Sequence, residues 1–253
     1  MLKDQIIPPA LIHDYRPEVP VDRHKRPVLI VLHQESSSPG RLGLILQSRG
    51  FALDIRRPRF GEPLPDTMDG HSAAIIYGGP QSANDNDEYI RREIDWINVP
   101  MAEDRPFLGI CLGAQMLAKT LGARVDFHDQ GLVEVGYYPL QATTAGSDLM
   151  NWPEHVYQWH REGFDLPRGA TLLARSESYE NQAFQAAPKS FGIQFHSELT
   201  YAQIYRWTVK GAERMALPGA QQRAQHLQGR LLYDAAILAW LHRFLDHWLA
   251  AED

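Results

Sequence analysis

The chain has a single cysteine, Cys111, set in Gly109-Ile110-Cys111-Leu112-Gly113-Ala114-Gln115. A thiol attacks as thiolate, and an unperturbed thiol with a pKa of about 8.5 is only a few per cent ionised at neutral pH. What surrounds the sulfur therefore decides what it can do. An apolar stretch precedes this segment, a helical pattern follows it, and Gly109 and Gly113 flank the sulfur symmetrically. That spacing fits a sharp strand-to-helix elbow, where bulk beside a projecting nucleophile would clash. Amides at the start of the next helix would favour an anion, and so the thiolate. A second segment, Phe191-Gly192-Ile193-Gln194-Phe195-His196-Ser197-Glu198, ends an apolar strand in a histidine. An imidazole there can take the thiol proton, and Glu198 can accept the other ring N–H and fix the tautomer. A third, Tyr77-Gly78-Gly79-Pro80, closes another apolar run. Its glycines let backbone amides approach a substrate oxygen, and with the amide of Leu112 they can form an oxyanion hole.

These segments need a scaffold that brings strand ends together. Val28-Leu29-Ile30-Val31-Leu32 is apolar without alternation, as expected for a strand covered on both faces. Phe51–Ile55, Ala73–Tyr77 and Phe107–Ile110 read as further strands, with helices over Pro39–Arg49, Asp87–Ile97 and Gly113–Leu121 between them. Strand–helix alternation at this spacing predicts an α/β fold with a doubly wound, mostly parallel sheet flanked by helices. Ligands of such sheets bind beyond the carboxyl ends of the strands. From about 123 to 196 short alternating segments are expected to extend or flank the sheet. From about 200 the chain reads as helical, with Ile237, Leu238, Leu241, Phe244, Leu245, Trp248 and Leu249 on one face for packing. Residues 1–26 are polar and proline-punctuated and read as an N-terminal arm. Residues 27–253 read as a single domain.

The three chemical segments, in this order, resemble the class I (triad) glutamine amidotransferases, and most closely the stand-alone chains similar to the amidotransferase domain of GMP synthase. The resemblance covers roughly residues 27–200 and implies a flavodoxin-like sheet. It implies a Cys111-His196-Glu198 triad that hydrolyses the side-chain amide of glutamine through a γ-glutamyl thioester, releasing glutamate and ammonia. It further implies oxyanion amides from Gly79 and Leu112, with Gly78, Gln115, Trp159 and His160 around the substrate. Four positions depart from the family pattern. Ala114 stands where many members have His, Ser197 where most have Pro, and Arg161-Glu162 where a Gly-Asp pair often follows the histidine of Trp159-His160. The last departure keeps a second substrate class open, γ-glutamyl peptides or amides. A catalytically silent binding module is the third reading.

Composition narrows the field. The chain has 253 residues with 44% hydrophobic and 22% charged, ordinary globular usage. Its net charge of −6 argues against a nucleic-acid binder. The basic runs Arg23-His24-Lys25-Arg26 and Arg56-Arg57-Pro58-Arg59 read as solvated loop faces. No apolar run approaches the ~18 residues of a membrane span, and a lone cysteine fits a reducing, cytoplasmic setting. His155 and His160 have no cysteine nearby, so no metal site is expected. No Walker A or pyrophosphatase loop appears, and no cofactor is expected. Ammonia would then go to a partner synthetase, a separate acceptor enzyme or solvent, and a homo-oligomer remains open.

Overall fold

The computed structural model of the chain describes residues 21, 22 and 24–250; most of the expected N-terminal arm lies outside the described residues. Its centre is an eight-stranded sheet. Five strands run parallel: β1 (Val28–Val31), β2 (Leu53–Arg56), β3 (Ala73–Ile76), β4 (Phe107–Ile110) and, much later in the chain, a strand at Ser190–Ile193. Their order is β2-β1-β3-β4 followed by Ser190–Ile193, the flavodoxin-type order. Every residue of β1, β3 and β4 is buried, because helices cover both faces. That is why these strands appear as unbroken apolar runs. The edge strand β2 is half-buried throughout and alternates in character.

Helices α1 (Gly40–Ser48), α2 (Glu88–Trp96), the short α3 (Asn98–Ala102) and α4 (Leu112–Thr120) connect the parallel strands. One core layer packs Leu42, Ile45 and Leu46 of α1 with Ile30 of β1, Ile75 of β3 and the C-terminal helix. The opposite layer packs α2 and α4 on Leu29, Val31 and Ile76.

Beyond Ser190–Ile193 the sheet turns antiparallel, adding strands at Ala183–Ala187, Thr171–Arg175 and Gln141–Ala142. The expected extension of the sheet is thus present. The remaining short strands form two separate ribbons. In chain order the strands after α4 are β5 (Val125–Phe127), β6 (Glu134–Pro139), β7 (Gln141–Ala142), β8 (His155–His160), β9 (Glu162–Phe164), β10 (Thr171–Arg175), β11 (Ala183–Ala187) and β12 (Ser190–Ile193). β5 pairs with β9, and β6 with β8. Together β8 and β9 span a segment that the sequence singles out for chemistry but not for strand structure. A helix, α5 (Thr144–Leu149), capped by the Thr143 hydroxyl, likewise falls among the predicted strands.

The tail is helical, as expected, in two pieces: α6 (Tyr201–Lys210), opened by a Thr200–Gln203 capping box, and α7 (Arg223–Leu249). A 3-10 turn, Ala212–Ala216, follows α6. Ile237, Leu241, Phe244, Leu245 and Trp248 are buried as their spacing predicts, joined by Trp240. No described helix is long and apolar enough to cross a membrane.

Candidate active site

The ends of β1, β3, β4 and β12 converge at one edge of the sheet. Cys111 follows β4 directly and holds φ 52°, ψ −106°, a left-handed conformation that costs a non-glycine residue of order 1–3 kcal/mol. Close packing below it enforces this geometry. A side-chain carbon on Gly113 would lie 2.1 Å from the Ile76 carbonyl oxygen, and one on Gly109 would lie 2.4 Å from the Gly113 oxygen. The elbow therefore packs backbone on backbone, and the strained residue is the candidate nucleophile. The Cys111 amide is tied to Ile193 O at 2.8 Å, which binds the elbow to the strand that leads to His196.

His196 lies three residues beyond the end of β12 rather than on it. Its backbone N–H donates to Tyr157 O of β8 at 2.8 Å. Its Nδ1 is 2.7 Å from Glu198 Oε1, and its buried Nε2 has no hydrogen-bond partner of good geometry. A methyl group on Gly78 would touch both reacting groups, at 2.9 Å from His196 Cε1 and 3.7 Å from Cys111 Sγ. The imidazole and the sulfur thus face each other across the small space that Gly78 leaves. Burial pulls the His196 pKa down, but the charges of Glu198 and Cys111 outweigh it and push it up to about 10. The ring therefore carries its proton near neutral pH and presents positive charge to the sulfur.

The turn Ser197–Leu199 is held from outside. Arg41 donates from Nε to Ser197 O at 2.7 Å and from its backbone N–H to Glu198 O at 2.8 Å. Arg230 donates to Leu199 O at 3.1 Å, and both guanidinium groups meet Asp234, at 2.7 and 2.8 Å. The carbonyls of the Ser197–Leu199 turn are thus clamped by two arginines. Gly78 is held in a comparable way. His33, at the end of β1, bridges Gly78 O (3.2 Å) and Glu93 Oε2 of α2 (2.7 Å), with both side chains fully buried. Sequence reasoning missed all five residues. The one signal available was polarity in the wrong place: Arg41 inside an apolar helix face, and Arg230 and Asp234 at i, i+4 spacing.

The sulfur opens into a cavity of about 450 Å³ that Gly78, Gly79, Trp159 and His196 also line. A narrow recess of about 20 Å³ adjoins it, bordered by Leu112, Gln115, Trp159, His160 and Glu162. All nine predicted site residues thus fall in or beside one region. They differ in what their side chains are free to do. Gln115 spends its amide nitrogen on Glu162 O (2.8 Å) and Gln194 Oε1 (3.2 Å). His160 is engaged at both ring nitrogens, with Glu162 O and Glu134 Oε2, each at 3.0 Å. Glu162 accepts from Ser82 Oγ at 2.8 Å, while Arg161 turns outward over Phe127. Arg59, read from sequence as part of a solvated loop face, borders the cavity.

The profile of the family described as glutamine amidotransferase class-I matches residues 45–204, more than half of the chain. The chain belongs to the class I glutamine amidotransferases. Among curated relatives of this amidotransferase, the Salmonella typhimurium glutamine amidotransferase-like protein YfeJ is 30% identical over 238 residues, covering 87% of this chain and 95% of that one. One subunit of the glutamine-hydrolysing GMP synthase of Sulfurisphaera tokodaii is 31% identical over 144 residues, 54% of this chain and 73% of that one. Among solved structures, a glutamine amidotransferase from Methylobacillus flagellatus superposes with a TM-score of 0.78 at 28% identity, covering 89% of this chain and 93% of that one. The amidotransferase is accordingly an enzyme of the glutamine-hydrolysing class, and its strand order and elbow are those its family membership implies.

Proposed function

We propose that the chain hydrolyses the γ-amide of a glutamyl substrate, glutamine being the simplest, through a thioester on Cys111. The observation that carries this reading is the nucleophile on a strained elbow, facing a histidine whose far nitrogen is held by Glu198 at 2.7 Å. The Cys111 sulfur attacks the amide carbon. The amides of Gly79 and Leu112 receive the developing oxyanion; Leu112, as the first residue of α4, has an N–H without an intrahelical acceptor. His196 gives its Nε2 proton to the departing nitrogen, then takes a proton from water as that water opens the thioester. Glutamate leaves and the sulfur is regenerated. The amino-acid end of the glutamyl group would lie on the side of the sulfur that faces the recess beside Gln115 and Glu162, with Glu162 as the carboxylate nearest its ammonium. A separate synthetase receiving the ammonia agrees with the likeness to one subunit of a GMP synthase, and the single free cysteine agrees with a cytoplasmic setting.

An electrophilic glutamine analogue bearing a diazoketone at the side-chain end tests this directly. It is expected to alkylate Cys111, located by intact-mass measurement and peptide mapping, with glutamine competing. A protein whose Cys111 reacts with a general thiol reagent but never with the analogue has the nucleophile without the glutamyl pocket.

One observation favours a second reading within the same chemistry. The cavity of about 450 Å³ on the sulfur lies in the range that holds whole small-molecule ligands, more room than departing ammonia needs. A γ-glutamyl conjugate with a substituted nitrogen would fill it. Comparing release of amine from such conjugates with release of ammonia from glutamine separates the two.

A further inference from the structure

The cavity around Cys111 is strongly one-sided in charge. Arg59, Arg206, Lys210 and Arg214 line it, against one carboxylate, Glu35. Arg206, Lys210 and Arg214 stand at i, i+4 and i+8 along α6 and the 3-10 turn that continues it, so one helical face turns a basic stripe toward the sulfur. None of these three forms an ion pair among the described residues. Behind the triad, by contrast, Arg41 and Arg230 share Asp234. Arg214 is also crowded, since burial and the neighbouring Arg161 hold its guanidinium below its usual range. In a chain whose net charge is −6, unanswered cations gathered on the nucleophile are a feature of the site rather than of the average surface.

Position sorts these cations. Arg214 borders both the cavity and the narrow recess, whereas Arg59, Arg206 and Lys210 border the cavity only. In amide cleavage the acyl half and the leaving nitrogen lie on opposite sides of the attacked carbon. With the glutamyl half on the recess side of the sulfur, the leaving group falls among the three outer cations. Trp159 and Trp207, 5.7 Å apart, supply an apolar wall beside it. Resting on the γ-glutamyl reading above, we propose that Arg59, Arg206 and Lys210 select a γ-glutamyl amide whose leaving amine carries a carboxylate or similar anionic group. The Cys111 S–C bond forms as the C–N bond breaks, and the amine departs with the His196 proton and its own anionic group. Water then gives its hydroxyl to the acyl carbon and its proton to His196 as the S–C bond breaks and the sulfur leaves as thiolate.

The test compares kcat/KM for γ-glutamylglycine with that for γ-glutamylglycinamide, which differ by one negative charge. The acid is expected to be preferred by at least about tenfold at low ionic strength, the preference shrinking with salt. In Arg206→Gln/Lys210→Gln the ratio is expected to fall toward one, and in Lys210→Gln alone to fall part of the way. A ratio near one in the unsubstituted protein, or one that the double substitution leaves in place, overturns the inference. Alkylation of Cys111 by iodoacetate against iodoacetamide, each normalised to free cysteine, needs no turnover. If no compound is cleaved, a preference for iodoacetate that vanishes in the double variant supports an anion-selecting mouth and overturns the γ-glutamyl reading alone. Equal alkylation together with no cleavage overturns both.

Discussion

The two halves of the central sheet solve different problems. The parallel half, β2-β1-β3-β4-β12, is largely apolar and sets the candidate reacting groups, Cys111 and His196, beyond its carboxyl ends. The antiparallel half and its ribbons bury polarity instead. Glu134 on β6 is 1% exposed and accepts from Ser176 Oγ at 2.7 Å and Gln182 Nε2 at 2.8 Å, with His160 Nε2 at 3.0 Å. Gln182 in turn accepts from Gln158 at 2.6 Å. A buried polar network of this kind, paired at every atom named here, holds a unique geometry but is intolerant of losing a member. On the proposed function, the parallel half supplies the chemistry and the antiparallel half the shape of the recess beside it.

The sharpest way to break this division is at the nucleophile. Cys111→Ser is expected to lower turnover by at least about a thousandfold while leaving the thermal midpoint within about 4 °C, because the elbow is held by Gly109 and Gly113 rather than by the sulfur. Retained turnover in a normally folded variant would remove the parallel half from the chemistry. The mirror-image experiment is Glu134→Ala. It leaves the buried His160 Nε2 without its partner and takes one acceptor each from Gln182 and the half-buried Ser176, and is expected to cost about 3 kcal/mol in chemical denaturation, with the surviving activity showing a raised KM more than a lowered kcat. A fall in kcat alone would mean that the network acts on the triad.

Arg41→Met lies between these two. It frees the Ser197 carbonyl and leaves Asp234 to Arg230, and about a tenfold loss in kcat is expected from a displaced His196, read with KM in steady-state assays. The smallest effect concerns pH. His196 is held at about 10 in the folded chain against 6.5 ordinarily. A raised folded pKa gives stability that is complete below about 6.5 and disappears as pH rises through about 10. The thermal midpoint of the unsubstituted protein, measured against Glu198→Gln, is therefore expected to be highest below about pH 6.5 and to lose its advantage toward pH 10. A gap that widened with pH would contradict the assignment.

The same division explains what could be read in advance. β1, β3 and β4 announce themselves because strands buried on both faces must be apolar throughout. The elbow shows because its close contacts admit only glycine at 109 and 113. β8 stayed hidden because its buried positions include Gln158 and His160, and alternation carries no signal where the inward residues are polar. Arg41, Arg230 and Asp234 hold the His196 turn from sites 193 and 4 residues apart in the chain, and the Glu93–His33 bridge spans 60 residues. Such partnerships exist only after folding. The site residues at strand ends follow from local pattern, and their supports follow from topology.

Trp207 gives this site an optical voice. Its ring stands at 89° to that of His196 with centroids 5.0 Å apart, and a protonated imidazole at that range accepts an electron from an excited indole and darkens it. The emission of Trp207 is therefore tied to a single proton on His196. Titrating it toward alkaline pH should brighten the indole as that proton leaves, and the proposed acylation of Cys111, in which His196 gives its proton to the departing nitrogen, should register as a change of light before glutamate is released.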